Sequence, residues 1–252
     1  MNLNLSDVWG NPRIYKNIEI HPIRMGDIEL FYQHVQCLLL PKNSIQDAQI
    51  LKMSYLAFLI TVSSMEGNEV LLQKLINLLH MILKTKNIKF EFNENGRIFI
   101  IVDDTNKLNE RDFDKIKTII SEQNLIDLDD DFVNDEVRKA IEDARAFLAK
   151  RDNKVASLDQ QVVAYHCKTG LEYDKIANLT IYQFNKGLSR FDMISSSEAI
   201  LAARYSGMVE FKDESKIPHW LSHIDEKKKN EDVIINASDF DKKANELGLT
   251  KK

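Results

Sequence analysis

Two histidines spaced four residues apart form the chain's most suggestive pair of metal-ligating side chains. His219 and His223 lie in the segment IPHWLSHI, residues 217–224. In a helix this spacing would place both imidazoles on one face, as in the HExxH motif of zinc proteases. The glutamate that acts as the base in that motif is absent, and only Asp225 or, in space, His166 with Cys167 would complete a ligand set. A metal-dependent enzyme is therefore a minor alternative, and we expect no metal or other cofactor.

The same segment also fits the start of a buried helix. A proline directly before the first histidine suits the first helical turn. Trp220, Leu221 and Ile224 would then form the apolar side, with the two histidines flanking it. This packing interpretation, which we favour over metal binding, places Trp220 in the core against Phe184 or Phe191.

A second candidate site is a run of three short helical patterns that suggests a helix-turn-helix. The patterns cover residues 158–168, 172–178 and 180–191, with Gly170 at the first break. The third carries side chains able to read base edges: Gln183, Asn185, Lys186 and Arg190. The flanks are acidic where phosphate contacts need basic residues, and the turn spacing is irregular. A DNA-binding regulator is the second function hypothesis.

Clustered carboxylates offer little support for an enzyme. Asp103–Asp104 and the aspartates between 127 and 131 lack the partners of a magnesium site or an EF-hand loop, so we interpret them as solvated helix caps. The chain contains no GxSxG, phosphate-binding loop or GxGxxG motif. We therefore expect a protein that is not an enzyme and has no small-molecule substrate.

Composition indicates a folded, mainly helical protein. Of 252 residues 44% are apolar and 29% charged, and only eight glycines and four prolines interrupt the chain. The net charge of −5 disfavours non-specific nucleic-acid binding. Two distant cysteines predict reduced thiols inside a cell. The first residues lack the pattern of a secretory signal, and the apolar runs are too short for a membrane span.

Hydrophobic periodicity predicts a mainly α (α+β) fold. Apolar residues recur at helical spacing within 26–40, 44–64, 69–84, 109–126 and 196–206, besides the three patterns described above. Alternating runs at 88–92 and 97–102, joined by Asn93–Gly96, predict a β-hairpin. We divide the chain into an N-terminal subregion (1–126), a charged helical hinge (127–156), a C-terminal helical subregion (157–225) and a polar tail (226–252).

The C-terminal subregion resembles tail-gene products of phages from low-GC Gram-positive bacteria. The resemblance rests on EYDKIANLTIYQFNKGLSRF, ARYSGMVEFK and IPHWLSHID, within residues 157–225. Such products include the tail assembly chaperones, which are small, acidic, mostly helical and non-enzymatic. The resemblance implies contacts with the tape-measure protein while tail-tube subunits add, or a structural role in the tail. It also implies a location in the host cytoplasm or, for a structural component, in the virion.

A chaperone of this kind needs apolar and aromatic surface for amphipathic helices. Two stretches offer candidates, the very apolar residues 55–62 and an aromatic set in the C-terminal subregion. The aromatic set consists of Tyr182, Phe184, Phe191 and Trp220. The same side chains fit equally well into a core, and for each of them singly core is the favoured assignment.

Overall fold

The computed structural model describes residues 5–42, 47–65, 68–128, 143, 156–207 and 219–224. These residues form helices α1 (Leu5–Trp9), α2 (Ile28–Val35), α3 (Ala48–Lys52), α4 (Tyr55–Ser63), α5 (Glu69–Leu83), α6 (Glu110–Asn124), α7 (Leu158–Thr169), α8 (Tyr173–Asn178) and α9 (Ile181–Tyr205). The strands are β1 (Arg13–Tyr15), β2 (Ile18–Ile20), β3 (Ile88–Phe92), β4 (Ile98–Val102) and β5 (Asn106–Asn109). The predicted mainly α (α+β) class is confirmed.

The core lies where α2, α4, α5 and α6 pack against one another and against the inner face of the larger sheet. Most apolar side chains in the predicted stripes of α2, α5 and α6 are buried: Ile28, Phe31, Val35, Leu75, Leu78, Leu79, Ile82, Phe113, Ile116 and Ile120. Four others in these stripes are not: Leu71, Leu72 and Ile119 are half-buried, and Tyr32 is exposed. Apolar residues repeating every three or four positions produce one continuous stripe on each helix, and this stripe faces the core.

Two regions that were predicted to be helical are helical, but one is divided into two helices and the other is a single helix where two were expected. The helix expected over 44–64 is divided, because Met53 is extended (φ −65°, ψ 154°) and the Ser54 hydroxyl caps α4 by accepting from Ala57 N–H at 3.2 Å. The two helices expected at 180–191 and 196–206 are instead the single helix α9. No proline or terminal glycine interrupts that stretch, so the helix continues through its serines.

The small sheets are both antiparallel. In the larger one the predicted hairpin of β3 and β4 is present, and Gly96 in its connection has φ +71°. Strand β5 adds a third strand that the periodicity did not reveal. Asp103 and Asp104, which we interpreted as helix caps, occupy the β4–β5 turn instead, with φ of 52° and 57°. Aspartate tolerates this left-handed conformation better than most residues.

The second sheet is the antiparallel hairpin of β1 and β2. Lys16 (φ 47°) and Asn17 (φ 63°) form its two-residue turn, whose left-handed residues match strand twist. The Lys16 ammonium and the Tyr15 hydroxyl both bind the Asp112 carboxylate at 2.8 Å. Asp112 also completes the capping box of α6 with Asn109. The hairpin is therefore fastened to the start of α6.

The described residues within 1–131 and 158–222 form one compact unit. In this unit, Arg24 and Thr180 form an isolated antiparallel bridge. Met25 N–H donates to Leu179 at 2.8 Å and Ile181 N–H donates to Ile23 at 2.9 Å, so the start of α9 is joined directly to the N-terminal core. Nearly all of the predicted hinge and the whole polar tail lie outside the described residues.

None of the helices described here is long and apolar enough to cross a bilayer.

Candidate functional site

An aromatic cluster joins α7 to α9. The ring of Tyr165 stacks on Phe184 with centroids 4.9 Å apart and lies against Phe191 at 5.2 Å. Phe184 is completely buried, Tyr165 is 7% exposed and Phe191 is half-buried. Phe184 is therefore a core residue, which was the favoured assignment, and a partner cannot reach it in this conformation.

Gly187 allows the two helices to approach this closely. A Cβ at position 187 would lie 2.8 Å from the Tyr165 hydroxyl oxygen and 3.0 Å from its ring. Sequence reasoning missed both residues. A single glycine inside an otherwise regular helical pattern was the available signal, since such a glycine usually has a packing reason.

His166, one of the side chains that could have completed a metal site, instead takes part in the turn between α7 and α8. His166 Nδ1 lies 2.7 Å from the Leu171 carbonyl oxygen, and its ring stacks on Tyr173 at 4.5 Å. Gly170 ends α7 with φ +69°. His166 therefore closes a helix–helix connection, and the neighbouring Cys167 is exposed.

The segment around the two candidate ligand histidines forms a turn where a helix was expected. Ser222 N–H donates to the His219 carbonyl at 2.8 Å, and the Ser222 hydroxyl accepts from His219 N–H at 3.1 Å. His219 Nδ1 accepts from Leu221 N–H at 3.1 Å. Short polar side chains that bind nearby backbone groups in this way compete with helix formation. The expected presentation of His219 and His223 on one helical face is therefore wrong.

Arg190 attaches this turn, His219–Ser222, to the side of α9. Its Nη1 donates to the carbonyl oxygen of Trp220 at 2.7 Å and to that of Ser222 at 3.0 Å. The Trp220 side chain remains 48% exposed and Leu221 is 65% exposed. The prediction that Trp220 packs in the core against Phe184 or Phe191 is thus wrong, because α9 binds the backbone of the turn and leaves the indole outside.

The side chains proposed to read DNA have intramolecular roles. Gln183 completes the capping box with Thr180 and donates to the Val8 carbonyl at 2.9 Å, which connects α9 to α1. Asn185 donates to the carbonyl of Ile181 at 2.9 Å. Gln183, Asn185 and Arg190 thus place in intramolecular hydrogen bonds the donor groups that a recognition helix would direct at bases.

Among the residues that the structure describes, no group of three or more His, Cys, Asp or Glu side chains is arranged to hold a metal ion.

The two cysteines differ in environment, since Cys37 is buried and Cys167 is exposed. Burial raises the pKa of the Cys37 thiol to about 12. A thiol held protonated in this way is a poor nucleophile and a poor ligand at neutral pH.

Residues 149–225 match the family model of the YomV second domain. YomV is a protein of a Bacillus phage region, so the matched family is phage-associated. The match includes the Tyr165–Phe184 cluster, Arg190 and the whole His219–Ser222 turn. It overlaps the stretch in which the sequence resembles phage gene products and supports the phage connection, without distinguishing a tail chaperone from other phage proteins.

Comparison with curated proteins and with solved structures finds no match.

Proposed function

We propose that this chain is a non-enzymatic phage tail-morphogenesis protein that acts through protein–protein contacts. The match of residues 149–225 to a phage-associated family supports the phage part of the proposal. The resemblance of the same region to tail-gene products supports the role in tail assembly. The net charge of −5 is suited to a protein that must stay soluble while presenting apolar surface.

The observation that carries the contact role is the position of Trp220. Its indole is 48% exposed, beside an even more exposed Leu221, while the Arg190 guanidinium holds the backbone of the turn. Tryptophan is enriched among residues that dominate binding energies at protein interfaces. A contact residue held in place before binding loses less conformational entropy on association. An exposed tryptophan on a braced turn therefore fits a docking point.

The partner that fits is an amphipathic helix with an apolar face. Such helices insert aliphatic and aromatic anchors into apolar surface at spacings of three and four residues. The tape-measure protein of a phage tail is built from long helices of this type, and the tail-tube subunits assemble around it. We propose a tail assembly chaperone in the host cytoplasm, with a structural tail component retained in the virion as the close variant.

Co-expression with the tape-measure protein of the same phage tests this proposal. We expect the two proteins to co-purify, and W220A and L221A to reduce the recovered complex at least about tenfold, as loss of an interface anchor does. Tyr205→Ala is the matched control, because Tyr205 is 81% exposed at the C-terminal end of α9, 15 residues beyond Arg190, and this variant is expected to leave the complex intact.

The outcome that contradicts the proposal is a chain that co-purifies with neither the tape-measure protein nor the tail-tube protein. Nanomolar, salt-sensitive binding to one duplex DNA site, weakened by K186A, would instead establish the regulator hypothesis. Lys186 is chosen as the probe because loss of Gln183, Asn185 or Arg190 would also remove hydrogen bonds to the backbone.

A further inference from the structure

Strand β3 is one of the two outer strands of the larger sheet, whose order is β3-β4-β5. Two hydrogen bonds fix which backbone groups of β3 face β4: Asp103 N–H donates to Asn87, and Asn93 N–H donates to Arg97, both at 3.0 Å. Hydrogen-bonded and non-hydrogen-bonded pairs alternate along an antiparallel ladder. Residues 89 and 91 therefore bind β4, and the N–H and C=O groups of residues 88, 90 and 92 point away from the sheet.

The outward groups of Ile88, Phe90 and Phe92 have no hydrogen-bond partner among the described residues. Most proteins protect such an edge with unpaired charges, prolines or bulges. Here β3 contains no proline and pairs with β4 without a bulge. Its two charged side chains are bound within the sheet, Lys89 to Asp104 at 2.6 Å and Glu91 to Lys107 at 3.2 Å.

Side chains on the inner face of β3 reach beyond the core at one end. Ile88 and Phe90 are half-buried, whereas Phe92 is 62% exposed. A neighbouring strand added at this edge would cover the Phe92 ring and pair the outward backbone groups. The edge thus offers both apolar area and hydrogen bonds, the two contributions on which β-strand addition depends.

We propose that the occupant of this edge is β3 of a second copy of the chain, in an antiparallel two-fold pair centred on Phe90. Phe90 then faces its own symmetry mate, Ile88 faces Phe92 of the other copy, and the two three-stranded sheets become one continuous sheet of six strands. Residues 88, 90 and 92 of each strand form the hydrogen-bonded pairs, which is the alternation that an antiparallel ladder requires.

The charges on the solvent face select this partner and this register. With the axis at Phe90, each Lys89 lies directly opposite Glu91 of the other copy, so the edge is complementary to itself. A shift by two residues in either direction keeps the hydrogen-bonding alternation but places Lys89 opposite Lys89, or Glu91 opposite Glu91. Like charges directly opposite are destabilising. The centred register is also the one that pairs all five residues of the strand.

Sedimentation equilibrium of the full chain tests the dimer, with three substitutions. Lys89→Glu or Glu91→Lys alone makes both facing pairs repulsive, and each is expected to weaken the dimer on the order of tenfold or more. Mixing the two variants restores opposite charges at both positions, so a heterodimer is expected at concentrations where each variant alone is monomeric. K107E is the matched control: it removes the ion pair to Glu91 and leaves β3 unchanged, so the dimer should persist.

Amide hydrogen exchange supplies an independent readout. The amides of residues 88, 90 and 92 should gain protection as concentration increases, while those of residues 89 and 91, already bound to β4, should not change. A wild-type chain that stays monomeric at about 100 μM, far above the dissociation constants of stable dimers, overturns the proposal. So does a dimer unaffected by both charge reversals, or a mixture of the two variants that remains monomeric. This dimer does not depend on the contact role of Trp220.

Discussion

Gly187 lies against the ring of Tyr165 so closely that a Cβ at position 187 would stand 2.8 Å from the phenol oxygen. The ring cannot simply move away, because it stacks on Phe184 and contacts Phe191. In an open helical position, replacing glycine by alanine would stabilise the helix by about 1 kcal/mol. The sign of the effect therefore distinguishes a packing role from an unimportant glycine.

We predict that G187A destabilises the protein by about 1–3 kcal/mol, because the added methyl group overpacks the α7–α9 contact. Urea unfolding of the wild type and the variant measures the difference. The same substitution in a Y165F background should cost less, since the closest clashing atom is gone. A stabilising G187A would show that the two helices do not pack as described.

The aromatic residues of the C-terminal subregion are predicted to differ sharply in their contribution to stability. Phe184→Ala should cost about 3–5 kcal/mol, because it opens a cavity where the ring is completely buried. Trp220→Ala should change stability by less than about 1 kcal/mol, since the indole is 48% exposed. Chemical denaturation of both variants checks this. A large loss of stability in the W220A variant would show that the Trp220 side chain lies in the core.

Stability at acid pH is predicted to depend on Asp112. Burial by itself raises the pKa of this carboxyl, but hydrogen bonds from Lys16, the Asn109 amide and Tyr15 outweigh it and lower the pKa below its ordinary value. A folded-state pKa below the unfolded one stabilises the fold above the unfolded pKa of about 3.9. That contribution is lost as the pH falls from there through the folded value.

We therefore expect D112N to unfold at lower denaturant than the wild type at pH 7, with the difference shrinking below about pH 4 as the wild-type carboxyl protonates. Unfolding midpoints across this pH range provide the measurement. Asp104→Asn is the comparison: Lys89 and Asn87 lower the pKa of that carboxyl too, but its exposure screens the interaction. Equal pH profiles for D112N and the wild type would exclude the linkage.

Thiol labelling is predicted to separate the two cysteines. Cys167 is exposed and should react with a thiol-specific disulfide reagent in the native protein. Cys37 is buried, and burial raises the pKa of its thiol to about 12, so it should react only after unfolding. Titration at pH 8 before and after denaturant gives the two rates. Native C167S should be unreactive, and rapid labelling of that variant would show that α2 and its surroundings open readily.

The helices of the N-terminal core were predictable because each encodes its own buried face. In α5 the leucines at 75, 78 and 79 follow the helical period, and all three are buried. Local signals also fixed the β3–β4 connection, where Gly96 supplies the left-handed residue. By contrast, β5 contains only Leu108 as a buried apolar residue, too little for an alternating pattern. It forms because β4 offers an unpaired edge.

The sequence by itself determined the mainly helical class, the inward faces of α2, α5 and α6, and the β3–β4 hairpin. Each of these depends on side-chain spacing within one segment. Only the tertiary structure decided that Trp220 lies outside the core and that Gln183 and Arg190 serve packing. Those outcomes depend on contacts between distant segments, Gln183 with Val8 and Arg190 with the carbonyl of Trp220. The pattern of one segment carries no information about which backbone groups another will bring to it.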